Sequence, residues 1–95
     1  MMSFLRGLFR RREATPQTLP EPVEYKGYSI NAVPFKSEGQ YQAAGVITRE
    51  VDGERKEHRF IRADAFAIYD DAVNFSLGKA RQIVDLQGDR MFGGA

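Results

Sequence analysis

From Gln40 to Gly88 the chain changes its apolar period once, and that change constrains the fold more than any other feature. A period-2 run turns at Asp52-Gly53, runs back to Asp64 and gives way to one amphipathic helix. Asp-Gly is a strong signal for a type I′ turn, which needs positive φ at both central residues. The turn sets a register in which Val51 faces Glu54, Ile47 faces His58, Gly45 faces Phe60 and Ala43 faces Arg62. Tyr41, Ala43, Gly45 and Ile47 alternate with Gln42, Ala44, Val46 and Thr48, so the first set is the expected core face. On that face the Phe60 ring can fill the space above the side-chain-free Gly45.

Upstream, Tyr25-Lys26-Gly27-Tyr28 reads as a turn or bulge leading into a strand from Tyr28 to about Val33. Pro34 has no N–H to give a ladder, so this strand is expected to end there or to lie at an edge. Ser37 to Gly39 reads as a loop. Downstream, Ala65 to Tyr69 forms a short connection in which Phe66 plugs the core. Asp70 then N-caps a helix to about Gln87, Asp71 suits its positive end and Gly88 terminates it. Val73, Leu77, Ala80 and Val84, flanked by Ser76 and Ile83, supply the covering stripe, with Asn74, Arg81 and Asp85 on the wet side. The expected fold class is α+β: a three-stranded antiparallel β-meander covered on one face by a single C-terminal α-helix.

Ninety-five residues suit one domain with a small core, and a deep substrate pocket is not expected of it. With no cysteine and one histidine, disulfides, thiolate chemistry and multi-histidine metal sites are excluded. The formal charge of +1 hides an asymmetry. Arg6, Arg10, Arg11 and Arg12 face only Glu13 and Glu21 before Val23, whereas the remainder carries ten basic and eleven acidic side chains. A domain so close to neutral lacks the basic footprint usual for duplex binding.

Residues 1–12 read as a basic amphipathic segment. Phe4, Leu5, Leu8 and Phe9 share one helical face and Arg6, Arg10 and Arg11 surround it, which makes these residues candidates for contact with an anionic membrane or an apolar partner. Residues 13–22 form a linker stiffened by Pro16, Pro20 and Pro22. The domain proper is expected over 23–92, with 93–95 as a tail. No run approaches the roughly 20 apolar residues of a spanning helix, and the start does not follow the order of a secretory signal. The expected location is cytoplasmic, with peripheral membrane contact as the alternative.

No catalytic constellation stands out, and no cofactor or small-molecule substrate is indicated. His58 falls opposite Ile47 in the hairpin, where a structural role is expected, and Asp70 with Asp71 suits a helix start better than a metal. Arg49, Arg55, Lys56, Arg59 and Arg62 cluster on the hairpin, and a cationic β-ribbon can enter a DNA groove. Glu50, Asp52, Glu54 and Glu57 interleave with them, so cross-strand pairing is the plainer reading and any nucleic-acid contact through Arg49, Arg55, Lys56 and Arg59 is expected to be weak. Phe75, Leu86, Met91 and Phe92 make an apolar set beside the helix. It serves either as a protein interface, homodimeric included, or as core closed by the returning tail.

The segments MSFLRGLF, VEYKGYSI, YQAAGVI, the DG hairpin, EHRFIRAD and DDAVNFSLGKARQIVDLQGDRMF together give the chain its family resemblance. It resembles the short bacterial proteins known as HlyU-like transcriptional activators over nearly its whole length. The resemblance implies a regulatory, non-enzymatic role in a Gram-negative bacterium and brings no catalytic or binding residues with it. Contact with a protein or a nucleic acid is the implied mode of action, and a membrane-peripheral adaptor is the alternative.

Overall fold

The computed structural model describes residues 20–93, so the expectations for the amphipathic segment and most of the linker lie outside the described residues. Within them run β1 (Val23–Tyr25), β2 (Tyr28–Ala32), β3 (Phe35–Ser37), β4 (Gln40–Val51), β5 (Glu54–Phe66), α1 (Tyr69–Gln87) and a 3-10 turn (Gly88–Phe92). All pairings are antiparallel. The α+β class stands, but the sheet has five strands where three were expected.

The two additional strands come from turns and from Pro34. Lys26-Gly27, Glu38-Gly39 and Asp52-Gly53 all have positive φ at both residues, so each closes a two-residue hairpin of the kind foreseen only for Asp52-Gly53. Lys26-Gly27 folds β1 back on β2, and Glu38-Gly39 folds β3 back on β4, replacing the expected loop. Pro34 interrupts the first strand without ending its alignment. Ser29↔Thr48 before it and Phe35↔Gln42 after it keep one register along the same edge of β4. Val33 bonds to β4, so the nitrogen of Pro34 faces the open edge on the other side, where a missing N–H costs no ladder bond to β4 and the chain direction survives.

β4 and β5 pair as the turn demands, with Val51↔Glu54, Ile47↔His58 and Gly45↔Phe60. The expected Ala43–Arg62 pair is lost, because the register shifts between Gln42 and Ala44, where β5 bulges outward before resuming at Ala65 and Phe66. A Cβ built on Gly45 would lie 2.5 Å from Cζ of Phe60, so the ring does occupy the space above this glycine.

The helix enters differently from the expectation. Its N-cap is Ile68, in extended conformation and with no side-chain cap, rather than Asp70, and the Asp71 and Ala72 N–H groups donate to the Ile68 carbonyl. Ala72, Ser76, Ala80 and Val84 are its buried residues, a small-residue row at four-residue spacing that lets the helix approach the sheet closely. Tyr28, Ile30 and Ile47 meet Ala80, Val84 and Met91 in the core, with Phe60, Leu77 and Ile83 packed at its margin. Ser76 is fully buried: its hydroxyl donates to the Ala72 carbonyl at 2.7 Å and accepts from the Ala44 N–H at 3.1 Å. Val33 N–H reaches the Ala44 carbonyl across the break at Pro34, and Ser76 supplies the acceptor for the return bond.

Candidate interaction surfaces

The helix-covered face carries a polar cluster that joins the β1–β2 hairpin to the end of α1. Tyr25 donates its hydroxyl proton to the Asp85 carboxylate at 3.0 Å, and Lys26 Nζ lies 2.7 Å from the same group. Tyr28 donates to Asp89 at 2.6 Å, Arg49 bonds Asp89 at 2.9 Å and Tyr28 at 3.1 Å, and the Arg49 guanidinium lies over the Tyr28 ring. The hydrogen bonds from Lys26 and then Tyr25 hold the Asp85 carboxyl below its usual range. Those from Tyr28, with the charge of Arg49, do the same for Asp89. Burial, followed by the Asp89 bond, pushes the Tyr28 phenol up. Two carboxylates on either side of the helix end at Gly88 thus bind two tyrosines and two cations. This is how the segments VEYKGYSI and DLQGDRMF meet in space, and spacing alone gave no sign of it.

The cluster takes Arg49 out of the candidate nucleic-acid set as a free cation. Of the others, Lys56 pairs with Glu54 at 3.3 Å and Arg59 with Glu57 at 2.8 Å, and Arg62 beyond them sits 3.5 Å from Asp64. Arg55 makes no ion pair among the described residues. Alternation places Arg55 and Arg59 on the uncovered face and Arg49 and Lys56 on the helix face, so the four do not form one basic patch.

Phe75, Leu86, Met91 and Phe92 are also divided. Met91 is buried in the core and Phe92 stacks on Tyr28 with ring centroids 6.3 Å apart. Phe75 packs against Phe66 at 5.2 Å, while Leu86 stays 68% exposed. Phe75 and Leu86 share a groove of about 620 Å³ on the outer side of α1 with Tyr25, Lys79 and Gln82. His58 is half-buried at the margin of the core, and among the described residues no three side chains converge as metal ligands.

The sheet face opposite the helix is the surface that sequence reasoning left without residues. Val33 and Phe35 on one edge of β4, Ala44 and Val46 on β4 itself and Ile61 on β5 fall on this side by alternation. Phe35 and Ile61 are 40% and 66% exposed, and they line a depression of about 180 Å³ with Val33, Ala44 and Arg59. The register alone could have shown this row, had the strand been carried past Pro34.

Among the described residues no helix is long and apolar enough to cross a membrane. A family model described as "Transcriptional activator HlyU" matches residues 3–92, nearly the whole chain, and the chain belongs to that family. Comparison with curated proteins and with solved structures returned no match.

Proposed function

From membership of the HlyU family as premise, we propose that the chain is a non-enzymatic transcriptional regulator that acts by protein contact through the uncovered face of its sheet. Such a role places it in the cytoplasm. The observation that supports protein over nucleic acid is the fate of the hairpin cations. Arg49, Lys56 and Arg59 are each held by a carboxylate of the same chain, so phosphate contact would have to displace existing partners. Among the described residues α1 is the one α-helix, so they provide no second helix for a helix-turn-helix. The uncovered face, by contrast, offers Phe35 and Ile61 around an apolar depression.

Anisotropy titrations of the full chain against duplex DNA at several salt concentrations test this reading. Weak binding that falls steeply with salt and ignores sequence is expected, alongside photo-crosslinking in cells from probes at Phe35 and Ile61 to protein rather than DNA. Tight, sequence-selective binding that Arg55→Ala or Arg59→Ala abolishes would overturn it.

A further inference from the structure

We propose that two copies of this chain join through the outer edges of β5, in antiparallel register about a two-fold axis at His58, to make one continuous sheet. Among the described residues β5 pairs only with β4, which leaves its outer edge unpaired along a strand of thirteen residues. Unpaired edge N–H and C=O groups are a template for another strand. In a two-residue hairpin the closing pair, Val51↔Glu54, exchanges hydrogen bonds, so Glu54, Lys56, His58 and Phe60 point their backbone groups at β4. Arg55, Glu57, Arg59 and Ile61 point theirs outward. The Val33 N–H to Ala44 carbonyl bond on the far edge of β4 agrees with this alternation.

Symmetry and charge then select one register. A two-fold axis perpendicular to the sheet keeps each face on its own side, so odd-numbered residues meet odd and even meet even. Centred on His58, pairing sets Glu57 against Arg59 of the partner subunit, and the converse, with Glu54 against Arg62 of the partner subunit at the ends. Moved one residue toward the turn, it sets Glu57 against its own copy and Arg55 against Arg59 of the partner subunit; a second step matches Arg55 with Glu57 of the partner subunit but sets Lys56 against its own copy and leaves only Glu54 to His58 paired before the chain turns away. Moved one residue the other way, it sets Arg59 against its own copy and Lys56 against Arg62 of the partner subunit. A further step brings His58 against Arg62 of the partner subunit and runs the pairing into the bulge that follows Ile61. Opposite charges across a ladder stabilise it and like charges oppose it. The favoured register also fills the regular stretch of β5 between the turn and the bulge, and it brings a neighbour to the half-buried Phe60 and His58 at the open margin of the core.

The chain has no cysteine, so a single introduced thiol reports the register directly. His58 and His58 of the partner subunit form a non-hydrogen-bonded pair, with Cα atoms about 4.5 Å apart, within the roughly 4.4–6.8 Å that a disulfide spans. Sedimentation equilibrium of the full chain should show a monomer–dimer equilibrium. Arg59→Glu and Glu57→Arg should each raise the dissociation constant at least tenfold with circular dichroism unchanged, and the double exchange should restore it. Mild oxidation should link His58→Cys into dimers and leave Arg55→Cys unlinked. A wild-type chain that stays monomeric at high concentration, single variants that associate normally, a double exchange that fails to recover, or linkage through Leu86→Cys in place of His58→Cys would each overturn the proposal.

Discussion

At the scale of single residues, the tightest constraints sit where one side chain compensates for a defect in the backbone. Ser76 is such a residue, since its hydroxyl accepts the Ala44 N–H in place of the Val33 carbonyl opposite it. Ser76→Ala would leave the buried Ala44 N–H without an acceptor at a cost of about 1–3 kcal/mol. Urea denaturation should show that loss, and the Ala44 amide should exchange faster than its neighbours; an unchanged midpoint would mean the bond contributes nothing. Gly45 is constrained by space. Gly45→Ala puts a methyl group within 3 Å of the Phe60 ring and should destabilise by about 1–3 kcal/mol, as overpacking does. Phe60 is only half-buried, so Phe60→Ala should cost about 2 kcal/mol, below the ~3–5 of a fully enclosed phenylalanine. Because both effects involve one ring, Gly45→Ala should cost far less in the Phe60→Ala background. Additive losses in the denaturation cycle would contradict the contact.

At the scale of elements, the hairpin foreseen from Asp52-Gly53 was legible because Asp tolerates positive φ and the apolar alternation on both sides agreed with it. Lys26-Gly27 and Glu38-Gly39 adopt the same conformation with first residues that do not advertise it, so one turn was read as an ambiguous bulge and the other as a loop. Pro34 is expected either to end its strand or to lie at an edge, and it does the second: its nitrogen faces the open side away from β4, and the strand direction carries on into β3. Asp70 was expected to cap the helix, yet the extended Ile68 supplies the first accepting carbonyl, two residues sooner. Of the candidate surfaces, the cation cluster was legible and its separation onto two faces follows from the same alternation, but the carboxylate each cation reaches was not legible, since that depends on how the elements pack. The link from the β1–β2 hairpin to α1 was invisible for the same reason, and it gives a pH dependence. Asp85 and Asp89 have depressed folded values, so their contribution is complete above the ordinary carboxylate value of 3.8 and is lost as pH falls through the lower folded values. Melting temperature should therefore fall more steeply below about pH 4 in the wild type than in an Asp85→Asn, Asp89→Asn variant. Parallel pH profiles would show that neither carboxylate is linked to folding.

At the scale of the whole molecule, one α-helix among the described residues covers the sheet, and closure of the core depends on the 3-10 turn that follows it. Gly88 ends α1 and the 3-10 turn carries Met91 into the core beside Tyr28, Ile47 and Val84. Arg90 turns back to bond the Leu86 carbonyl at 2.8 Å, satisfying an acceptor that the helix end leaves open. Asp89 and Phe92 hold Tyr28 from two sides, one by its hydroxyl and the other by its ring. A tail of this kind adds a large share of the apolar area that a domain this small can bury. Met91→Ala should cost about 2–5 kcal/mol, the range for a buried methionine truncated to alanine. Ending the chain at Gly88 should cost more, because it also removes the two supports of Tyr28, and a total near or above 5 kcal/mol would exhaust the stability of a marginal domain. The truncated chain should therefore lose its cooperative thermal transition and bind a hydrophobic dye, while Met91→Ala melts cooperatively at a lower temperature. If the truncated chain melts like the full one, the tail is an appendage and the core closes between α1 and the sheet without it.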